Sequence, residues 1–273
     1  NRTIQPGTPS LIQGLVLSYY PRERGPYNFD LPDGGTQFSA GLDNSGGLVR
    51  PDTRWGGIMR DLNTNDFQAA NIEYLEFWML NPFMDQGEDG IAAIDGGELC
   101  INLGNISEDI LRDSRKFFEN GIPIDPTIPT DVTNWSRIPR TNAVTNAFNN
   151  DPAERAIQDV GLDGFSSAEE GQVYGDYLNS INASTLSPDA KARIQTDIAN
   201  DDFVNFRNPA FPTAATVFDR YRRHNNPEGN SGPPVNGRVN SSTNIPDAED
   251  LNNDNTLAET ESYFNYRVEF KPT

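Results

Sequence analysis

The stretch Asp250–Glu261, which reads DLNNDNTLAETE, has the strongest potential for chemistry in this chain. Oxygen-bearing residues recur in it at positions 1, 3, 5, 7 and 12 of a twelve-residue calcium loop. These residues are Asp250, Asn252, Asp254, Thr256 and Glu261. Ca²⁺ prefers hard oxygen ligands, and one tight turn aims alternate residues of such a loop inward. The spacing therefore predicts a structural Ca²⁺ that holds the preceding segment against the last strand of the chain.

Two features of the same stretch depart from the EF-hand pattern. Position 6 is Asn255 where such loops carry glycine, although asparagine adopts the left-handed conformation more readily than most residues. Pro246 precedes the loop and a strand pattern follows it, so the sequence lacks the two flanking helices. Glu261 could then point elsewhere, with Asp247 or Glu249 as the ligand in its place. An Asx-rich turn in an acidic chain is the alternative, and the sequence leaves it open.

A second acidic pattern, DVGLDG, spans Asp159–Gly164. Gly161 stands where a calcium loop needs a ligand, and glycine has no side-chain oxygen. Glycines are also typical of the turn that ends a helix. A helix-end turn is therefore the favoured interpretation, and no metal is assigned to this segment.

Side chains for catalysis are scarce. Cys100 is the single cysteine and His224 the single histidine, and nothing in their surroundings supports a nucleophilic unit built on either. Glu73 and Glu76 fall on opposite faces of a predicted strand, because side chains alternate along it, so they are not a facing pair of carboxylates. The sequence therefore predicts a protein without enzymatic activity.

Composition restricts the partners of the chain. It has 273 residues, a net charge of −19 and a mean hydropathy of −0.64. Nucleic acids and anionic lipid surfaces repel a chain of this charge, so neither is expected as a partner. No apolar run approaches the roughly 20 residues of a membrane helix, and we expect no direct membrane span in this chain.

Apolar alternation predicts the strands. Ile72–Leu80 is apolar on both strand faces, which is typical of a strand in the middle of a covered sheet. Leu99–Leu103 is a second strand, and Tyr263–Phe270 alternates as a half-buried strand that could return to the N-terminal sheet. Ser107 is expected to cap a helix that ends at Gly121. Short strands between turns predict a mainly β fold, an antiparallel jelly-roll-like β-sandwich.

Three helix starts follow in the middle of the chain, and each matches an N-cap sequence. They are Asp151-Pro152, Ser166 or Ser167, and Ser187-Pro188. They predict a helical block inserted into the β scaffold, which makes the chain α+β overall. The predicted domains are residues 1–121 for the β-sandwich, 122–223 for the helical insertion, 224–249 for a Pro/Asn/Gly-rich tether, and 250–273 for the calcium-type loop with the closing strand.

Aromatic and basic residues are interleaved in the segment YYPRERGPY, residues 19–27. Its tyrosines beside Arg22 and Arg24 suit either a surface recognition patch or a packed corner in which the arginines bridge strands. The packed corner is the favoured interpretation. The tryptophans Trp55, Trp78 and Trp135, together with tyrosines, could also form a sugar-stacking platform, as in carbohydrate-binding jelly rolls.

Four phrases of the chain together resemble one protein family. They are YYPRERGPYNFD, RWGGIMRDL, IEYLEFWMLNPF and INLGNISEDILRDSRKFFENG. In their order and density they resemble the SprA (Sov) family, the outer-membrane translocons of the Bacteroidetes type 9 secretion system. The resemblance extends over about Leu17–Gly121, Gly161–Gly164 and Asp247–Val268.

The resemblance implies a soluble, inserted domain of an outer-membrane pore that conducts folded cargo proteins. Such a domain would face water, with the extracellular side favoured over the periplasmic side, and would help to form, cap or gate the pore or dock a partner. The implied partners are other parts of the same translocon and the plug, shuttle or cargo proteins of the secretion system. The family has no enzymatic activity. From the residues alone, the alternative is a carbohydrate-binding β-sandwich module with a structural Ca²⁺.

Overall fold

The structure is a computed structural model, and it describes residues 19–32, 39–62, 64, 66–77, 79, 96–118, 122–141, 146–224 and 247–271. The strands in these ranges are β1 Gly97–Asn105, β2 Thr130–Val132, β3 Arg137–Pro139 and β4 Ser262–Phe270. The helices are a 3₁₀ turn Pro51–Thr53 and α1 Pro152–Gln158, α2 Ser167–Val173, α3 Gly175–Ala183, α4 Pro188–Thr196 and α5 Val217–Tyr221. No described helix combines the length and the apolar character that crossing a bilayer requires.

The described part of the chain is a mixed α/β structure. Its strands form two antiparallel sheets, β1 with β4 and β2 with β3. The predicted antiparallel pairing and the helical block are confirmed, but the described residues contain no jelly roll. A sandwich needs two larger sheets packed face to face, whereas each described sheet has two strands. The four domain boundaries stay predictions. Some predictions fall on residues outside the described ranges, namely Trp78, Leu80, Gly121 and residues 225–246.

β1 and β4 pair along their full length, and we call this pair the β1–β4 ribbon. Ile101 lies opposite Tyr266 at its centre. The predicted strands Leu99–Leu103 and Tyr263–Phe270 are confirmed, and the last strand does pair with a strand from the first 121 residues. The expectation that β4 is half-buried is wrong, because the Phe264 side chain is 74% exposed.

The central strand predicted for Ile72–Leu80 is wrong for its described residues, 72–77 and 79. They form no strand, and Tyr74 is 84% exposed and Leu75 63% exposed. A strand with two apolar faces is favourable only where neighbouring strands supply backbone partners and other layers cover both faces. Since no described strand pairs with this segment, its apolar side chains remain in solvent.

The helix predicted to start at Ser107 is also wrong, because residues 106–118 form no helix. The backbone amides of Ile110 and Leu111 each donate to Oε1 of Glu249 at 3.0 Å. In a helix capped by Ser107, these amides would instead donate to the side chain and the carbonyl oxygen of Ser107. A contact with the C-terminal segment therefore replaces the local helix, which a local pattern could not indicate.

The three predicted helix starts are confirmed. The side-chain oxygens of Asp151 and Ser187 accept hydrogen bonds from backbone amides two and three residues later, at 2.8 and 3.2 Å, and so cap α1 and α4. α2 begins directly after Ser166. Two helices follow this start, α2 and α3, which meet at Tyr174.

An apolar core lies between the α3–α4 pair and a turn from the N-terminal part of the chain. Its buried members are Leu42, Leu48, Ile181, Leu186, Ala190 and Ile194. The turn approaches α4 closely, because a Cβ at Gly46 would lie 3.2 Å from the Cβ of Ala190. This packing holds the N-terminal segment on the helical block.

Arg24 joins the YYPRERGPY segment to the loop that follows α4. Its guanidinium donates to the carbonyl oxygens of Ile198 at 2.7 Å, Asp197 at 3.2 Å and Asn28 at 3.0 Å. The side chain is buried, and its Cζ lies 5.9 Å from the centre of the Tyr177 ring. The packed corner is therefore right for Arg24 alone, which bridges to a loop of the helical block and not between strands, whereas Arg22 is exposed.

We expect Arg24→Ala to lower the free energy of unfolding by about 3 kcal/mol, because it leaves buried carbonyl oxygens without donors. The exposed Arg22 offers a matched control, and Arg22→Ala should change that free energy by less than about 0.5 kcal/mol. Urea denaturation of both variants measures the difference. Equal effects of the two substitutions would contradict the bridging role of Arg24.

Candidate functional site

Three buried acidic residues converge in the helical block, and we call them the carboxylate cluster: Asp163, Glu170 and Asp201. One carboxylate oxygen of each lies within 4.8 Å of one from each of the other two. Each residue is 1% exposed. Three negative groups this close together and this deeply buried require protons or a compensating positive charge.

Three separate segments position the cluster. Asp163 lies in the loop between α1 and α2, Glu170 lies in α2, and Asp201 follows α4. Gly161 makes the close approach of two of these segments possible. Its φ is +109°, and a Cβ at this position would lie 2.7 Å from Oδ2 of Asp201. The loop between α1 and α2 therefore packs directly on the Asp201 carboxylate.

Backbone amides orient each carboxylate of the cluster. Oδ1 of Asp163 accepts a hydrogen bond from the amide of Phe165 at 2.8 Å, and Oδ2 of Asp201 accepts one from the amide of Asp163 at 3.0 Å. Oε2 of Glu170 accepts from two successive amides after α4, at 3.0 Å each. Such bonds favour the ionised form of a carboxylate.

Two oxygens of the cluster accept no hydrogen bond within the described residues. They are Oδ2 of Asp163 and Oδ1 of Asp201. The Tyr174 hydroxyl lies beside Asp163, but it donates to the carbonyl of Trp135 at 3.0 Å. Leaving a buried polar atom unpaired costs about 1–3 kcal/mol, and more when the group is charged. The cluster therefore has unused capacity to bind a positively charged ligand.

Burial is the main cause of the shifted pKa values in the cluster. It raises the pKa of Asp163 to about 6, that of Glu170 to about 7 and that of Asp201 to about 8. Neighbouring negative charges act in the same direction, since Asp163 and Asp197 both raise the pKa of Asp201. Arg137 lowers the pKa of Asp163 and offsets only part of the effect of burial. Without a cation, the carboxylates of the cluster therefore keep their protons to higher pH than exposed carboxylates do.

The sequence indicates this cluster only in part. The DVGLDG pattern ends at Gly164, but the twelve-residue calcium-loop spacing from Asp159 reaches Glu170. Gly164 is position 6 of that spacing, and its φ of +70° is the left-handed conformation that the sharp turn requires. The turn predicted for Asp159–Gly164 is confirmed in the backbone, since α1 ends at Gln158 directly before it. Asp201 lies 38 residues after Asp163, where no local spacing could indicate it.

The predicted calcium loop, Asp250–Glu261, closes on itself through Asx turns. Oδ1 of Asp250 accepts from the amide of Asp254 at 3.1 Å, and Oδ2 accepts from the amide of Asn255 at 2.9 Å. Oδ1 of Asp254 accepts from the amide of Thr256 at 2.7 Å. Asn255 has a φ of +67°, the left-handed conformation suited to position 6.

Of the remaining predicted ligands of this loop, Asn252 lies with the first ones, because Oδ1 of Asn252 and Oδ1 of Asp250 accept from the same amide. Oδ1 of Asn252 accepts from the amide of Asp254 at 2.8 Å, and Glu261 is exposed. Among the described acids, Asp250, Asp254 and Glu261 are not a group whose oxygens lie within 4.8 Å of one another. Since its side-chain oxygens hold the loop's own backbone, Ca²⁺ binding here stays a prediction.

Glu249, the alternative ligand, belongs to a different group of acids. It lies with Asp109 and Asp113, and their oxygens approach within 4.8 Å. Burial raises the pKa of Glu249 to about 7. The acid that does contact the loop is Glu108, whose Oε2 accepts from the amide of Ala258 at 2.9 Å. The Glu108 side chain therefore holds the loop through a hydrogen bond from another part of the chain.

The two side chains considered for nucleophilic catalysis lie in different elements. Cys100 is exposed on β1. His224 lies after α5, where its ring packs edge-on against Phe206 at 5.4 Å and Tyr221 at 5.7 Å. Burial lowers the pKa of His224. That the protein is not an enzyme stays a prediction.

The tryptophans considered for sugar stacking are not brought together in the described residues. Trp55 is 86% exposed and lines an open cleft of about 430 Å³ with Tyr19 and several arginines. Trp135 packs edge-on against Tyr27, with ring centres 6.2 Å apart. The described aromatic side chains therefore give no support to a common stacking platform.

Comparison with known proteins gives one family match over the C-terminal third of the chain. Residues 176–273 match the SprA_N family model, which is described as a motility related/secretion protein. The matched part contains Asp201, the predicted calcium loop and β4. It overlaps the sequence resemblance at Asp247–Val268 and does not reach the one at Leu17–Gly121. A search of curated proteins finds no match.

We expect Gly161→Ala to lower the free energy of unfolding by about 2 kcal/mol or more, because its new Cβ collides with the Asp201 carboxylate and strains the backbone. Gly171 is the matched control, since it is exposed in α2 and a Cβ there meets no atom within 4 Å. Gly171→Ala should be neutral or stabilise the chain by up to about 1 kcal/mol. Urea denaturation measures the free energy of unfolding of both variants. An unchanged free energy in Gly161→Ala would contradict the close packing of Gly161 on the Asp201 carboxylate.

The raised pKa values of the carboxylate cluster predict a pH dependence of stability in the presence of chelator. Acids whose pKa is higher in the folded than in the unfolded state bind more protons when folded, so stability is lost as pH rises through the folded pKa values. Urea midpoints should therefore fall between about pH 5 and pH 9. Asp201→Asn should flatten this slope, since the pKa of Asp201 is raised to about 8. A slope unchanged by Asp201→Asn would contradict the assignment.

Proposed function

On the premise that the chain is SprA-related, we propose that it is a water-facing, non-catalytic domain of a type 9 secretion translocon and docks through its β1–β4 ribbon. The family match over residues 176–273 supports a role in secretion or motility. In the proposal the ribbon contacts another part of the same translocon. The domain then helps to form, cap or gate the pore at the outer membrane, with the extracellular side favoured.

The observation that carries this proposal is an amphipathic ribbon with an exposed apolar face. Directly opposite residues of an antiparallel pair share a face, and side chains alternate along each strand. One face therefore carries Leu99, Ile101, Leu103, Phe264, Tyr266, Val268 and Phe270. Phe264 is 74% exposed and Tyr266 54% exposed. The opposite face is largely polar and includes Glu98, Asn102, Asn265, Arg267 and Glu269.

Such a ribbon needs further contacts. An isolated two-stranded pair is marginally stable in water, and a hydrophobic face gains stability only when another layer covers it. No other described helix or strand packs extensively against β1 or β4. Within the described residues, each strand also has a free outer edge that could accept another strand.

A protein surface fits this face better than the other ligands considered. Anionic lipid would repel a chain with a net charge of −19. A sugar site would require aromatic rings with polar groups around them, whereas the face of the ribbon is a continuous apolar row. The structure offers no observation in favour of the carbohydrate-binding alternative. We therefore commit to a protein partner, another segment of the same secretion complex.

We expect the double substitution Phe264→Asp/Tyr266→Asp to reduce secretion of a reporter cargo about tenfold or more, because two charges then oppose burial of the apolar face. Tyr263→Asp/Asn265→Asp adds the same charges on the opposite face of β4 and is the matched control. Both pairs are introduced into the full-length secretion protein, and translocon assembly is followed by copurification. Equal secretion defects from both pairs, or none from the first, would contradict docking through the apolar face.

A further inference from the structure

We propose that the carboxylate cluster of Asp163, Glu170 and Asp201 is a Ca²⁺ site that ties the loop between α1 and α2 to the loop after α4. The cluster brings three carboxylates from three segments within 4.8 Å of one another. This site lies in the helical block, away in sequence from the predicted loop Asp250–Glu261. It is independent of the docking proposed for the ribbon.

Unpaired buried oxygens are the observation that points to a bound cation. Asp163 and Asp201 are each 1% exposed, and each has one oxygen that accepts no hydrogen bond within the described residues. Two arginines near the cluster form their ion pairs with acids outside it, Arg137 with Glu169 and Arg223 with Asp197. A divalent cation would supply both the missing positive charge and a partner for these oxygens.

Protons alone satisfy the cluster less well than a cation does. Each carboxylate already accepts at least one backbone amide hydrogen bond, and such bonds favour the ionised form. Protonation would therefore weaken bonds that orient the groups. A cation removes the mutual repulsion and keeps every amide bond in place.

The order of elements also matches a helix–loop–helix calcium site. α1 ends at Gln158, α2 begins at Ser167, and the loop between them holds Gly164 in the left-handed conformation. Counting from Asp159, Asp163 is position 5 and Glu170 is position 12, where calcium loops place a carboxylate and a bidentate glutamate.

The site departs from an EF-hand at its first position and at its third, where Gly161 has no side-chain oxygen. Asp159 lies outside the converging group and beside Arg155, whose pKa is lowered by burial, an effect that the negative charge of Asp159 only partly offsets. Asp201, from the loop after α4, supplies the third carboxylate instead. The bound ion would therefore cross-link two loops rather than complete one.

Calcium suits this site better than magnesium. Ca²⁺ accepts six to eight oxygen ligands in flexible arrangements, whereas Mg²⁺ demands near-ideal octahedral geometry and usually keeps several waters. Cluster residues that are 1% exposed leave little room for a hydrated ion. Three carboxylates are hard oxygen donors of the kind that Ca²⁺ prefers.

The test uses the whole chain after dialysis against EDTA, with Ca²⁺ or Mg²⁺ added back. Saturating Ca²⁺ should raise Tm by about 5 °C or more, and isothermal titration should show binding, with a much smaller effect of Mg²⁺. Asp201→Asn and Glu170→Gln should each lose at least tenfold in Ca²⁺ affinity. Asp254→Ala, in the predicted loop near the C-terminus, is the matched control and should retain the response.

Several outcomes would overturn this proposal. One is a wild-type chain whose Tm and titration do not respond to millimolar Ca²⁺, which would leave protons as the compensation in the cluster. Another is a Ca²⁺ response that persists in Asp201→Asn but disappears in Asp254→Ala, which would assign the ion to Asp250–Glu261. Because the wild-type titration needs no variant, a poorly folded substitution cannot leave the proposal undecided.

Discussion

Buried negative charge is the constraint on which the described helical block depends. The amide of Asp163 binds the Asp201 carboxylate, and amides after α4 bind the Glu170 carboxylate, so the segments that supply the charges also hold one another. A change of charge at the centre therefore acts on both loops and on α2 at once. The Arg24 guanidinium also binds the loop after α4, because it donates hydrogen bonds to two carbonyl oxygens of that loop. The position of the N-terminal segment thus depends on the same loop.

The β1–β4 ribbon obeys a different constraint. Its two strands pair along their full length, but no described residues cover its apolar face, which stays exposed. The helical block instead buries apolar surface against the N-terminal turn, in a core that includes Ile181, Ile194 and Leu42. An SprA-related chain with one internally packed part and one unsatisfied surface suits a scaffold that works by contact. The proposed roles divide accordingly, with rigidity assigned to the block and attachment assigned to the ribbon.

Local sequence predicts the elements whose determinants are local. The caps at Asp151 and Ser187 are correctly predicted because an N-cap depends on residues two or three positions away. The alternation in Tyr263–Phe270 likewise predicts a real strand. The segments after Ile72 and Ser107 fail because their outcome depends on distant partners. Residues 72–77 have no described pairing strand, and Glu249 takes the amides that a helix at Ser107 would need.

The candidate site shows the same limit. An acidic pattern is visible around Asp159 and Asp163, and its glycines do form the predicted turn. These acids form a candidate site only because they are buried together. Their burial requires that Asp201, in the loop after α4, packs against the backbone of Gly161. In the loop Asp250–Glu261 the spacing is more complete, yet its oxygens bind the loop's own amides. Ligand spacing alone therefore favours the loop Asp250–Glu261, whereas burial is what distinguishes the carboxylate cluster.

Elemental analysis of the purified chain tests the central claim most directly. The wild-type chain and Asp201→Asn are purified in parallel in calcium-containing buffer, passed through a desalting column, and analysed for bound metal. The account predicts about one tightly held calcium ion fewer per chain in Asp201→Asn than in the wild type. Equal calcium content in the two proteins, or none in either, would contradict it.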